Sequence, residues 1–458
     1  MIRFFQAACV LLLLLRCLSA AAVPVETRIT GVEGEMRTNV EVSLSLKRAE
    51  SLDSISIWRL RQMSRDARDE VGEALQAFGY YSPNVSVRLS EPEADGLPWR
   101  ATVAIEPGEA VRVHQPKLNI SGTAREVPAF REWLSDWPLP DGSVLRHPPY
   151  TESLSRLEQI AEAHGFFEGR FVKREIRVER SRNRADITVD YNAGPRYTIG
   201  QIDYGDTGFN DDLMRALTIV EPGQAYTSDD IDRQREVLAR AGYFEQVIVA
   251  QQRRPEDDAV DLSYELEKRL PNTYRVLAGF GTDTGVRGQL GWTRHYLSNR
   301  GDQLDTRLGA QQTDSEFVLR SDYKHPFGTQ PGNFLTGSLL LKRERDRFRF
   351  QDEDQLEPVF DDFGGNRNQA QMTAGRLRER PLFTRPFSPL IERLFVTFLN
   401  EQFDAFSQSS LNAEQEALIR DNPELRPFLD TDTNTVAVGG DWRLSRLSGT
   451  GFATDGFN

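Results

Sequence analysis

The feature that most constrains this chain is a short pattern met three times. It reads Phe78-Gly79-Tyr80-Tyr81, His164-Gly165-Phe166-Phe167 and Ala241-Gly242-Tyr243-Phe244, with about 80 residues between copies. Each copy closes a stretch of helical periodicity; in the third, Ile231, Leu238 and Ala241 share one face, and Ser228, followed by Asp229 and Asp230, supplies a capped start. A glycine just past the last turn takes the left-handed conformation that ends a helix, and the aromatic pair packs under the next element. Core packing, not binding, is the expected role of those aromatics.

After each copy come two alternating segments that predict a strand hairpin. They are Val85 to Leu89 with Ala101 to Ile105, Phe171 to Val178 with Ile187 to Tyr191, and Phe244 to Ala250 with Val260 to Leu266. A short strand precedes each helical region, at Arg28-Ile29-Thr30, Val111-Arg112-Val113 and Tyr197-Thr198-Ile199. Each unit is therefore expected to be β-α-α-β-β, one small sheet under covering helices. This order, the Gly-aromatic-aromatic motif and the joints Glu106-Pro107-Gly108 and Ala193-Gly194-Pro195 resemble POTRA domains, the periplasmic modules of outer-membrane assembly and secretion barrels.

Ahead of the repeats, Arg3, the apolar run Phe4 to Leu15 and the small residues Ser19 to Ala22 predict an export signal cleaved after Ala22. The only cysteines, Cys9 and Cys17, lie inside it, so the mature chain has no thiol for disulfides, zinc or nucleophilic catalysis. A formal charge of −13 argues against a broad grip on nucleic acid. A mean hydropathy of −0.51 excludes a bundle of membrane helices but not a membrane β-barrel, whose strands are apolar on one face only.

From Tyr274 onward the period becomes two. Leu304, Thr306, Leu308 and Ala310 alternate with Gln303, Asp305, Arg307 and Gln311, and Phe317, Leu319 and Tyr323 alternate with Glu316, Arg320, Asp322 and Lys324. Such segments predict strands between lipid and a watery interior. Eight are expected, near 274–282, 286–296, 302–312, 315–324, 333–344, 368–379, 391–405 and 434–446. The longer connections, Arg345 to Arg367 and Phe406 to Thr433, fall at one parity, as external barrel loops do.

Thr282-Asp283-Thr284-Gly285, Trp292 and Asn299-Arg300-Gly301-Asp302 are similar to the barrel entry of the BamA/TamA superfamily, and three POTRA units fit its TamA branch. TamA barrels have about twice as many strands, and an Arg-Gly-Phe lumen-loop motif and an aromatic-ended final strand are missing here, so an N-terminal half-barrel is expected, from a sequence cut short. The terminal Thr454-Asp455-Gly456-Phe457-Asn458 reads as a turn, as does Gly449-Thr450-Gly451. The expected divisions are a signal peptide at 1–22, POTRA units at 23–107, 108–194 and 195–270, and the barrel part at 271–458.

No nucleophile elbow, zincin or P-loop motif is present. His114, His147, His164, His295 and His325 lack ligand spacing, and packed or solvated histidine is the expectation for each. Asp430-Thr431-Asp432-Thr433-Asn434 starts like a calcium loop, but Thr435 holds the glycine position. The acidic stretch Asp352 to Asp362 reads as a solvated external loop. No enzyme activity, metal or cofactor is expected.

The expected function is mechanical: insertion and translocation of autotransporters and other β-barrel clients. A three-stranded sheet leaves an edge where an unfolded client strand can pair. The resemblance implies the second strand of each unit: Val85, Val87 and Leu89; Phe171, Val172, Ile176 and Val178; Val247 and Val249. It also implies a weak barrel seam at the first strand, Tyr274, Val276, Ala278, Gly279, Phe280 and Gly281, where the glycines pack poorly. The implied partners are outer-membrane lipid, unfolded clients and a TamB-like inner-membrane-anchored protein met by the first POTRA unit. Competing expectations are a two-partner-type secretion pore and a soluble periplasmic scaffold.

Overall fold

The computed structural model describes residues 22–52, 55–94, 97–282, 285–312, 316–350, 360–381, 389–407, 412–421, 423, 429–444, 446–450 and 453–457. The expected export signal lies outside them except for Ala22. The chain divides after Tyr197 into two compact units, each described by itself.

In the first unit, β1 (Val25–Thr30), α1 (Gly34–Ser43), the one-turn α2 (Ser45–Ala49), α3 (Ile57–Gln76), β2 (Asn84–Ser90) and β3 (Trp99–Glu106) form the first repeat. Its sheet order is β1-β3-β2, with β1 parallel and β2 antiparallel to the central β3. Strict alternation in β1 and β3 turns Val25, Ile29, Ala101, Val103 and Ile105 onto Leu60, Ala67, Val71 and Leu75 of α3.

The second repeat has β4 (Lys117–Ser121), α4 (Pro128–Ser135), α5 (His147–Ala163), β5 (Arg170–Glu179) and β6 (Arg184–Asn192), in the order β4-β6-β5. Its first strand is a correction to the sequence expectation. Arg112 and Val113 do pair with β6, but only as two residues; the longer parallel partner is Lys117–Ser121. Trp133 and Phe130 from α4 and Phe166 from the repeated motif fill this core, with Phe130 and Phe166 packed edge to face.

Gly79, Gly165 and Gly242 have φ of +90°, +81° and +81°, the left-handed closures that the pattern demands. At the first of these a joint forms between repeats: Val111 N donates to Gly79 O at 2.8 Å and His147 N to Ala77 O at 2.9 Å. The Tyr81 hydroxyl meets His147 Nε2 at 2.7 Å. Burial holds the His147 imidazole below its ordinary value of 6.5. Above that pH both folded and unfolded chains are neutral here; as pH falls through 6.5 the unfolded chain protonates first, so the joint loses stability on acidification. Protection of the Val111 amide, taken relative to its intrinsic exchange rate at each pH, is expected to fall from pH 7 to pH about 5, and less so in His147→Gln.

In the second compact unit, β7 (Thr198–Asp203), α6 (Asp211–Leu217), α7 (Ser228–Arg240), β8 (Phe244–Arg254) and β9 (Ala259–Lys268) repeat the plan, in the order β7-β9-β8. The cap of α7 is Thr227, one residue before Ser228, its hydroxyl accepting from Asp230 N. Gln234 is wholly buried on the inner face of α7. Its side chain accepts from Ile219 N at 2.6 Å and donates to Leu217 O at 2.9 Å, satisfying the loop between the two helices. Gln234→Leu would strand both backbone groups, and we expect a loss of about 1–3 kcal/mol in a denaturant titration, against near neutrality at the exposed Arg235.

Eight further strands form one antiparallel sheet in sequence order. They are β10 (Asn272–Gly281), β11 (Gly285–Arg294), β12 (Gln303–Gln311), β13 (Phe317–Pro326), β14 (Asn333–Phe350), β15 (Phe360–Pro381), β16 (Pro389–Asp404) and β17 (Asp430–Leu444), with α8 (Ala413–Arg420) before the last. The ten-residue strands are of bilayer-crossing length. No helix among the described residues is long and apolar enough to cross a membrane.

Three expectations are corrected here. The connection drawn from Arg345 to Arg367 is mostly strand, because β14 runs to Phe350 and β15 begins at Phe360. Arg367 explains it, bonding Asp346 at 2.8 Å and Glu401 at 2.6 Å and so carrying the ladder past the apolar belt. The calcium-like Asp430 to Asn434 starts β17, paired with Asn400 to Asp404. Gly449 and Thr450, and Thr454 to Phe457, lie in a two-stranded hairpin instead of turns. Asp283, Thr284, 352–359 of the acidic stretch, Gly451 and Asn458 lie outside the described residues.

Candidate functional site

The site consists of backbone more than side chains. In each small sheet the central strand is the last one, so the second strand has a neighbour on one side only among the described residues. Unpaired N–H and C=O groups along such an edge are ready to accept another strand.

The side chains named from the sequence mostly face inward. Val85 is buried, Val87 and Leu89 are half-buried against the same core, and Phe171, Ile176 and Val178 pack on the core of the second repeat. Val247 and Val249 are half-buried while Ile248 between them is exposed. These residues hold the edge in place, and any strand added there would meet backbone. Val172 is the exception: it sits in a bulge of β5 and points out, 68% exposed. Glu245 occupies the matching bulge of β8 and pairs with Arg269 at 3.1 Å.

The three edges are not equivalent. Arg68 of α3 donates to Val85 O at 3.2 Å, occupying one carbonyl of β2. Sequence reasoning missed Arg68, since nothing in a solvent-facing helical arginine signals a carbonyl on another element.

In the large sheet β10 pairs only with β11 and β17 only with β16 among the described residues. Tyr274, Val276, Ala278 and Phe280 lie on one face, opposite Trp292, Leu290, Gly288 and Val286. Gly279 and Gly281 lie on the other, opposite Arg287 and Gly285. The apolar face continues through Leu308, Leu319, Leu341 and Val396 to Val438. Val276 and Val438 are 75% and 82% exposed, a band of apolar surface that water does not tolerate and lipid does. The opposite face is charged: Arg307 pairs with Asp305 at 2.8 Å, Arg320 with Asp322 at 2.8 Å and Arg393 with Asp441 at 2.5 Å.

The turn Asn299-Arg300-Gly301-Asp302, singled out in the sequence, is tightly built. Leu297 N donates to Asp302 O at 2.7 Å, and the Asp302 carboxylate accepts from Ser298 at 2.5 Å and Tyr323 at 2.8 Å and contacts His325 Nδ1 at 2.5 Å. Burial opposes ionisation of Asp302, but these hydrogen bonds outweigh it and hold the carboxyl below its ordinary range. Elsewhere the histidines have ordinary surroundings, with His295 on Thr273 at 2.9 Å and His114 3.6 Å from Asp141.

The chain is thus a run of small β-α-α-β-β modules followed by an antiparallel sheet with one apolar face. The family model "POTRA domain TamA domain 1" matches residues 26–107, and the POTRA model "Surface antigen variable number repeat" matches residues 197–269. A relative, the outer membrane protein assembly factor BamA of Neorickettsia risticii (strain Illinois), is 21% identical over 147 residues, 32% of this chain and 20% of the relative. The matched part thus spans a fifth of that relative's length. Solved structures similar to it include BamA from Haemophilus ducreyi lacking POTRA domains 1–3, at TM-score 0.49 and 14% identity over 74% of this chain and 61% of that one. CdiB from Acinetobacter baumannii follows at TM-score 0.43 and 10% identity, over 93% and 70%. By sequence, residues 26–107 and 197–269 are thus similar to POTRA domains.

Proposed function

We propose that this protein assembles other proteins into the outer membrane, in the manner of the TamA branch. Client strands, autotransporters included, pair transiently on the POTRA edges and then on the free edge of β10, from which they leave into lipid. The observation that carries this reading is the presence in one chain of unpaired edges in both the periplasmic modules and the membrane sheet. Backbone pairing is nearly blind to sequence and so suits many clients. The periplasm offers no ATP, and the driving force is client folding, since a closing barrel satisfies backbone groups that lipid leaves unpaired.

In this reading the modules are 23–107, 108–194 and 195–270, and the membrane part starts at 271. The match of residues 26–107 to the first TamA POTRA model supports a role for that module in meeting an inner-membrane-anchored, TamB-like partner. Deleting the gene and following autotransporter maturation tests the proposal. Maturation of at least one client should slow, and normal assembly of every client would contradict it.

A further inference from the structure

In the third repeat the motif aromatic reaches beyond its own sheet. Tyr243 is 1% exposed, and its hydroxyl donates to Gly301 O at 2.7 Å across 58 residues of sequence. The fit leaves no slack: Gly301 has φ +83°, and a Cβ there would stand 2.7 Å from both the Tyr243 hydroxyl and Leu213 Cδ2. Asn210 N donates to Asn299 O at 3.0 Å, Gln303 Nε2 to Ala241 O at 3.1 Å and the Tyr296 hydroxyl to Arg269 O at 3.0 Å. Phe209 packs 5.1 Å from Tyr243 and 5.4 Å from Tyr296, with Lys268 Nζ 4.1 Å from the Phe209 ring centre. The gripped turn is tied in turn to β13 through Asp302, Tyr323 and His325.

This contact stands at the root of both free edges. β8 starts at Phe244, the residue after Tyr243, and β10 starts at Asn272, just after β9 ends at Lys268. We propose that Tyr243 and Gly301 form a latch that fixes the edge of β8 relative to the edge of β10, so that a client strand paired on the first is presented to the second. The inference rests on the assembly reading above. Tyr243 is a positioning residue in it and touches no client.

The test uses the full chain in phosphatidylethanolamine and phosphatidylglycerol vesicles, with an unfolded outer-membrane protein as client. The mature sequence lacks cysteine, so Asn210→Cys with Asn299→Cys reports the latch directly. Their backbones are hydrogen-bonded neighbours, joined from Asn210 N to Asn299 O at 3.0 Å. Oxidation should join them in the native background and less completely in Gly301→Ala; no disulfide in the native background would overturn the latch. Photo-crosslinkers at Ile248 and Val276 then report the client on β8 and β10. Both should form adducts in the native chain. In Gly301→Ala, and in Tyr243→Phe, which adds no atom and so guards against misfolding, the Ile248 adduct should persist while the Val276 adduct falls about fivefold, the equivalent of one hydrogen bond. Closing the disulfide should restore it. A purely structural role would lower both adducts together. An unchanged Val276 adduct in both variants overturns the latch proposal alone, whereas no adduct at either position in the native chain overturns the assembly reading and this inference with it.

Discussion

Replacing Gly31 with valine is expected to strip the first POTRA module of much of its stability while leaving the membrane sheet intact. Gly31 follows β1 with φ +91°, and a Cβ there would lie 1.8 Å from Ile105 O in the central strand. That atom is backbone in the middle of the sheet and has nowhere to go. Left-handed strain of about 1–2 kcal/mol adds to overpacking of about 1–3 kcal/mol, for about 2–5 kcal/mol in all. A small domain holds only about 5–10 kcal/mol, so much of its stability goes. Limited proteolysis of the full chain should then cut within 26–107 while residues beyond β10 stay protected. Gly34, also at positive φ but with no atom within 4 Å of its Cβ, should tolerate alanine far better.

A charge placed on the apolar face of the membrane sheet should cost nearly as much. Leu308 lies in the middle of β12 between Leu290 and Leu319, and Leu308→Arg would put a guanidinium into hydrocarbon at about 2–4 kcal/mol. The neighbouring Arg307 points to the other face, where it pairs with the partly exposed Asp305; Arg307→Gln should cost under about 1 kcal/mol. Urea titration of the heat-modifiable folded band in lipid would separate the two. Equal sensitivity of both positions would mean that the faces are assigned wrongly.

Much of this architecture is legible in the sequence because it rests on short-range periodicity. Gly79, Gly165 and Gly242 announce helix ends by chemistry that only glycine supplies cheaply, and the period-two segments after Tyr274 place all eight strands of the large sheet. The failures have physical reasons of their own. Lys117-Leu118-Asn119-Ile120-Ser121 alternates as fully as Val111-Arg112-Val113 and carries as many apolar residues, so periodicity does not choose between them and the β-branched pair draws the choice to the shorter segment. The extensions of β14 and β15 are rich in charge and read as loop, since their stability comes from cross-strand ion pairs at Arg367. Gln234 sits at a core position that polarity argues against, and only its two backbone partners explain it.

The candidate site was legible in kind but not in detail. That a β-α-α-β-β unit leaves its second strand at an edge follows from connectivity. Which edge positions are already occupied does not: Arg68 reaches Val85 O from another element, and the bulges at Val172 and Glu245 arise where the strands leave the repeated motif. The Tyr243–Gly301 contact joins two motifs that were both visible in the sequence, but no local pattern says that they meet.

The most direct measurement of the central claim is a disulfide scan of the free edge of β10. Single cysteines from Tyr274 to Gly281 would be paired with single cysteines along the terminal strand of an arrested client. The account predicts adducts in one register, each β10 position linking best to one client position and shifting with it residue by residue. Adducts spread without register, or none along β10 while the client still enters the membrane, would contradict it.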